Sequence, residues 1–309
     1  MVVLERDRPG AGASSVAAGM LAPVTETEFG EDALLRLNLE SAALWPAFAA
    51  ELEDLTGMSV GYEPRGALVV AVDRDDAEEL RRLHELQRSL GLESAWLAPS
   101  AARAIEPGLA PRIAGAIDAP GEAHVDPVAV VAALVRAFED AGGVIERRTV
   151  TSLDGLAEQV VLAAGAWSAQ VADVRVHPVK GQLLHLRTRD GAPPLAGRII
   201  RTPRCYIVPR ADGRVVIGAT VEEKGFDTSV DARAVHQMLE AAWEVLPDVW
   251  ELEFVEVIAG LRPATPDNRP LIGAAGDGVV HATGHHRNGI LLAPLTAQRV
   301  TEALAKVTA

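Results

Sequence analysis

The residue types best placed to do chemistry at close spacing run Gly284-His285-His286-Arg287-Asn288-Gly289-Ile290-Leu291-Leu292-Ala293-Pro294. Residues 278–282 just before them are a short apolar run, and residues 290–306 carry a helical pattern. The order predicts a strand, a tight polar turn with two glycines, and a helix N-terminus. Such a terminus leaves backbone N–H groups unpaired and carries the positive end of the helix dipole. It suits an anion or an electron-rich ligand edge, and Arg287 and Asn288 add side-chain donors there. The same residues also fit an ordinary strand-to-helix turn with a solvated arginine. The neighbouring His285 and His286 raise a metal reading. Adjacent residues in a turn rarely converge on one ion, and no acid or third histidine stands at ligand spacing, so no metal is expected.

The elements that must hold this turn follow from patterning. Residues 1–5 read as a short buried strand ending in Glu5. The 10–15 stretch is not a dinucleotide fingerprint, because there the first glycine follows its strand at once. Here a charged run intervenes, so residues 1–5 read instead as the second strand of a Rossmann unit, with Glu5 placed to bond a ribose hydroxyl. A surface carboxylate at a strand end is the alternative. The run Ser14-Ser15-Val16-Ala17-Ala18-Gly19-Met20-Leu21 is small and uncharged, and lets a backbone approach a flat ligand closely. Residues 32–55 are predicted helical, broken or kinked at Pro46. Residues 75–90, 128–141 and 232–246 are further helices, the second opened by Asp126 as N-cap and Pro127. Strands are expected at 66–72, 113–118, 144–150, 159–163, 181–188, 205–209, 214–219 and 254–260, with a hairpin at Ala211-Asp212-Gly213. Strand–helix alternation implies a parallel sheet, and the hairpin-linked strands an antiparallel one.

The 309 residues allow one large or two smaller domains. A net charge of −14 argues against a nucleic-acid partner, which needs clustered basic residues. Cys205 is the sole cysteine, so no intrachain disulfide forms. No apolar run is long enough to span a bilayer, and a cytoplasmic protein is expected.

Taken together, these runs carry a resemblance. Val2-Val3-Leu4-Glu5, the 14–21 run, Ala163-Ala164-Gly165-Ala166-Trp167-Ser168, Pro178-Val179-Lys180-Gly181-Gln182, Cys205-Tyr206-Ile207-Val208-Pro209-Arg210, Ala259-Gly260-Leu261-Arg262-Pro263 and the 284–290 turn resemble the FAD-dependent D-amino-acid oxidase family. They look most like its glycine oxidase branch, the flavoenzymes of bacterial thiazole synthesis. The likeness runs in order along essentially the whole chain. The Gly-Leu-Arg-Pro and Gly-His-x-Arg-Asn-Gly-Ile pair is its most specific part. The family's Gly-x-Gly-x-x-Gly turn, which cradles the FAD pyrophosphate there, is not in the sequence; against the family, the FAD-binding domain reads as truncated at its N-terminus, by a misplaced start codon or as a fragment.

The fold class so implied is α/β, a Rossmann-like FAD-binding domain interleaved with a substrate domain built on an antiparallel sheet. Segments 1–57, 121–173 and 258–309 would form the first, and 58–120 with 174–257 the second. FAD is the implied cofactor. Glu5 and Arg6 would meet the adenosine end, with Val150 near adenine. Ala13, Ser14, Ala18, Gly19 and Met20 would pass the pyrophosphate and flavin, and Ala164 and Gly165 the ADP part. His285, His286, Arg287, Asn288, Gly289, Ile290 and Leu291 would wrap the flavin ring. Arg262 would hold a substrate carboxylate, because a guanidinium fork gives two charge-assisted bonds. An ion pair with Asp267 is its alternative. Tyr206 would be the second contact and Arg287 a third. The implied reaction is oxidation of glycine or another small amine or D-amino acid by hydride transfer to flavin. It needs no obligatory acid or base, and oxygen is the expected acceptor. A dehydrogenase with another acceptor and an inactive flavoprotein fragment are the rival readings. A homo-oligomer is expected.

Overall fold

The computed structural model describes residues 1–307. Thr308 and Ala309, the end of the expected 258–309 segment, lie outside the described residues. The strands and helices in chain order are β1 Val2–Glu5, β2 Met20–Leu21, α1 Asp32–Thr56, β3 Ala67–Ala71, α2 Arg74–Ser89, β4 Ala95–Leu97 and α3 Pro99–Ile105. Then come β5 Gly115–Ala119, β6 Ala123–His124, α4 Pro127–Asp140, β7 Val144–Arg147, β8 Val160–Leu162 and β9 His177–Arg187. The rest are β10 Ile199–Arg201, β11 Tyr206–Pro209, β12 Arg214–Gly218, α5 Ala232–Val245, β13 Glu253–Ala264, β14 Leu271–Gly276, β15 Val279–Thr283 and α6 Ala293–Val307.

The architecture is mixed α/β. An eight-stranded sheet runs β13-β9-β12-β11-β10-β3-β5-β4. Its pairs are antiparallel except β10 with β3. Outside that sheet, β1 pairs with β7 and β15 with β8 in parallel, and β14 adds to β15 antiparallel. β2 and β6 form a short antiparallel ribbon.

The main core lies between the large sheet and α5. Leu184, Ile200, Ile207, Ile217 and Val245 are buried there with Leu246. A second core sets Trp45, Leu52 and Val60 against Val125, Val130 and Leu291. It joins α1 and α4 to the residues just ahead of α6.

Helix capping follows the chemistry expected of it. The Asp126 carboxylate accepts from the N–H groups of Val128 and Ala129, and Pro127 opens α4. Of the break or kink expected at Pro46, the break does not occur. α1 is continuous through it, because burial of Trp45, Ala49 and Leu52 on one side outweighs the single lost backbone bond. The helix expected from residue 290 begins at Ala293 instead. A 3-10 turn, His286–Asn288, precedes it, so the positive helix end stands further from Arg287 than expected. The short β4, α3, β10 and β2–β6 elements carry too few residues to show a period.

Candidate functional site

Strand order brings the two expected substrate residues together. Tyr206 opens β11, two strands from β9, and β9 pairs with β13, which carries Arg262. The Arg262 guanidinium donates to the carbonyls of Thr220 (3.0 Å) and Lys180 (3.4 Å). It lies over Gly181, where a Cβ would strike it. Tyr206 is folded onto Gly218 in the same way, its hydroxyl where a Cβ would point. These two glycines give the polar side chains room against the sheet, which no other residue allows. Burial raises the Tyr206 hydroxyl pKa, and the charge and hydrogen bond of Arg262 oppose that rise. Asp267 turns instead to Thr265 and the Arg269 N–H. Among the described residues no carboxylate pairs with Arg262. The resulting pair is a guanidinium and a phenol with spare donor capacity on one face of a sheet.

Arg287 is differently committed. Its guanidinium meets Glu31 at 2.8 Å, Glu28 at 2.9 Å and Glu26 at 3.9 Å. The glutamates come from the segment between β2 and α1. Glu26 in turn accepts from Arg201 of β10 at 2.7 Å, and Arg201 pairs with Tyr206 across the β10–β11 ladder. Two residues that patterning did not single out, Glu26 and Arg201, therefore stand behind Tyr206. A solvated charge run before a helix looks the same in sequence. Only the strand order shows that Arg201 meets it.

The turn of residues 284–292 is held from below. The Leu291 carbonyl accepts from Ser41 Oγ (2.7 Å) and Trp45 Nε1 (2.9 Å), both buried on α1. Gly284 has φ +75°, and a Cβ there would meet Thr265 at 2.6 Å. His286 also has positive φ, +47°, uncommon for a non-glycine residue and a sign of local constraint. His285 Nε2 shares a hydrogen bond with Thr296 Oγ1 at 2.9 Å. Burial lowers both histidines to about 4, with the Arg287 charge adding to the effect at His286. Both rings are neutral at pH 7.

The remaining expected cofactor residues lie at the end of β1, before and on β2, after β7 and β8, and in the turn ahead of α6. Glu5 ends β1, its carboxylate accepting from the Asp7 N–H at 2.9 Å. The Arg6 guanidinium lies 4.4 Å over the Trp167 ring. Ala13 and Ser14 form a short 3-10 turn with Val16, and Val16 closes against Gly260 of β13. Ala18 gives its carbonyl to Arg210 at 2.9 Å. Gly19 has φ +80° and accepts from Val125 N–H at 2.9 Å, and a Cβ there would collide with the Val125 carbonyl. Met20 pairs with His124. Ala164 and Gly165 abut the end of β15, where Gly165 O accepts from Ser168 (2.8 Å) and Thr283 (3.3 Å). Val150 lies beyond β7, half-buried. Gly289 and Ile290 continue the turn toward Leu291.

One observation tests the fit of a flavin at this turn. Asn288 is 1% exposed, yet both its amide atoms lack a protein partner, and so does His286 Nδ1. Buried amides without partners are rare. A donor–acceptor pair beside a neutral imidazole matches the alternating donors and acceptors of a flavin pyrimidine edge. The small-residue path at 13–20 suits a long flat cofactor, so the residues present fit FAD.

Fold and site together define a flavin-dependent oxidoreductase. Residues 1–303 match the family described as DAO, FAD dependent oxidoreductase, and the chain belongs to that family. It is 34% identical to a glycine oxidase of Geobacillus kaustophilus, over 99% of this chain and 86% of the relative. It is 36% identical to a putative thiamine biosynthesis oxidoreductase of Rhizobium etli, over 96% of this chain and 86% of the relative. The crystal structure of the Geobacillus glycine oxidase superposes with a TM-score of 0.92, covering 99% of this chain and 88% of that one.

Proposed function

We propose that the chain oxidises glycine or another small amine or D-amino acid, with FAD as hydride acceptor and oxygen as the final oxidant. The products are an imino acid and hydrogen peroxide, and the imino acid feeds thiazole synthesis for thiamine. The observation that carries the reading is Arg262, a sheet-borne guanidinium beside Tyr206 with no acid of its own among the described residues. FAD, when bound, supplies the two-electron chemistry. The protein's own work is orientation. Arg262 gives a carboxylate two parallel charge-assisted bonds, and Tyr206 donates a third from its hydroxyl. With the carboxylate fixed, the α-carbon has one position and its amine needs only to be neutral. Arg287, held by three glutamates, stands as a wall rather than as a second carboxylate anchor, which favours substrates with one carboxylate.

His286, Arg287, Asn288, Gly289, Ile290 and Leu291 are proposed to surround the flavin ring, with His285 behind them. Ala13, Ser14, Ala18, Gly19, Met20, Ala164 and Gly165 are proposed to border the pyrophosphate, and Glu5, Arg6 and Val150 the adenosine. The division into cofactor segments 1–57, 121–173 and 258–309 and substrate segments 58–120 and 174–257 belongs to the same proposal. The origin of the eight-stranded sheet supports it, although β13 runs across the 257/258 boundary. A cytoplasmic homo-oligomer completes the reading; the lone buried cysteine fits a reducing compartment, and gel filtration tests the self-association.

Arg262→Ala is expected to raise the KM for glycine about a hundredfold while FAD stays bound, since a charged hydrogen bond contributes roughly 1.5–3 kcal/mol. Peroxide release and flavin absorbance are the measurements. An unchanged KM overturns the assignment, and substrate reduction of the flavin without peroxide points to a different electron acceptor.

A further inference from the structure

We infer that Glu122 is a positioning residue for the substrate pocket, seating the Glu26–Arg201 pair behind Tyr206 through its grip on Thr25. The inference rests on the reading of Arg262 and Tyr206 as the carboxylate site. Glu122 immediately precedes β6, and β6 pairs with β2 so that Leu21 faces Ala123. That register brings the carboxylate under the segment that follows β2. Glu122 is 1% exposed and Thr25 4%. One carboxylate oxygen accepts from the Thr25 N–H at 2.6 Å and the other from the Thr25 hydroxyl at 2.8 Å. A buried carboxylate is costly unless both oxygens are bonded, and both bonds here go to one residue. The next residue along is Glu26, bonded to Arg201 at 2.7 Å. Arg201 sits opposite Tyr206 in the ladder. Tyr206 feels the charges of Arg262, Glu26 and Arg201. Glu122 thus stands three contacts away from the carboxylate site and touches neither Tyr206 nor Arg262.

The charged groups that act on Glu122 are Arg201, which favours its ionised form, and Glu26, which opposes it. Burial pushes the carboxyl up to about 7, against the hydrogen bonds from Thr25. Its charge therefore changes near neutrality. When it ionises, Arg201 feels the charge of a second carboxylate besides its bonded Glu26, and the surroundings of Tyr206 gain a negative charge. A substrate carboxylate is then held less tightly.

The test is binding of glycolate, a carboxylate that cannot be oxidised as an amine, to the FAD-loaded full chain. It is followed by flavin difference absorbance and by calorimetry between pH 6 and 8. Wild type is expected to lose about two- to fivefold in affinity across that range, as a coupling of half to one pKa unit centred near 7 gives. Glu122→Gln keeps the shape and one acceptor but cannot ionise, so its affinity is expected to stay flat over the same range. Glu122→Ala is expected to weaken glycolate about tenfold at pH 6 with FAD retained. If Glu122→Ala does not fold, the Gln variant decides. A pH step that persists in Glu122→Gln, or wild-type affinity in Glu122→Ala, overturns the inference. A wild type that binds no glycolate at any pH overturns the underlying reading of the pocket instead.

Discussion

At the scale of single residues, the site separates two arginines that look alike in sequence. Arg262 donates to two backbone carbonyls and to the neutral Tyr206 hydroxyl, and Arg287 is surrounded by carboxylates. A guanidinium bonded to neutral carbonyls keeps its full charge for a ligand. One already neutralised offers little. Tyr206 adds specificity, because a site that donates a hydrogen bond to a carboxylate penalises ligands that leave the hydroxyl unpaired. Tyr206→Phe is expected to weaken substrate binding by about tenfold, the worth of one hydrogen bond to a charged acceptor. The flavin spectrum should not change, since the hydroxyl lies against Gly218 and Arg262 rather than in the 284–292 turn. KM for glycine measures the first, and visible absorbance of the isolated variant the second. Loss of FAD on this single change would place the tyrosine in the cofactor site.

At the scale of elements, the turn before α6 owes its position to α1. Ser41 and Trp45 stand four residues apart, hence on one helix face, and both donate to the Leu291 carbonyl. The contact spans 250 and 246 residues of sequence, so no local pattern could reveal it. Trp45→Phe removes the indole donor and keeps most of the apolar bulk. It is expected to cost on the order of 1–3 kcal/mol and to loosen FAD, because the freed carbonyl belongs to the turn that carries Asn288. Urea unfolding and flavin fluorescence are the two measurements. A destabilised variant that holds FAD as wild type does would separate the pin from the cofactor turn. What was legible beforehand follows the same division. The α4 cap, the 211–213 hairpin and the turn around Arg287 announce themselves within a few residues. Local rules fail where distant burial decides, as at Pro46, which stays helical under Trp45, and at the start of α6. They are silent on Glu26, Arg201 and Glu122, whose roles exist only through strand order. The resemblance supplied the joint use of Arg262 and Tyr206, since β11 and β13 are far apart in sequence and two strands intervene.

At the scale of the whole molecule, several buried titratable groups set how stability responds to acid. His124, His285 and His286 are each lowered to about 4 by burial, with nearby arginine charge helping at His124 and His286. In the unfolded chain they titrate near 6.5. Between about 4 and 6.5 the unfolded state therefore holds protons that the folded state refuses. Stability from these groups is present above 6.5 and lost as pH falls through that window. Glu122 acts in the opposite sense. Its folded value of about 7 lies above the unfolded one, so its contribution is fullest at low pH and is lost as pH rises from about 4.5 to 7. Where the windows overlap, three protons favour unfolding and one opposes it, a net of two. At 1.36 kcal/mol per proton and pH unit, these four groups alone contribute a rise of up to about 3 kcal/mol per unit from pH 4.5 to 6.5, while Glu28 and Glu106, raised by burial, oppose it and the lowered His84 and His281 add to it. Carboxylates held low by hydrogen bonds, such as Asp227 and Glu222 at about 2, act only below that range. Glu122→Gln removes the opposing proton, so its gain over wild type should grow as pH rises toward 7 and then level off. Urea midpoints at half-unit steps from pH 4.5 to 8 test both slopes. A wild-type curve flat between 4.5 and 6.5 would mean that these histidines are accessible to protons in the folded state. The neutral imidazoles beside Asn288 could then not be part of the flavin surface.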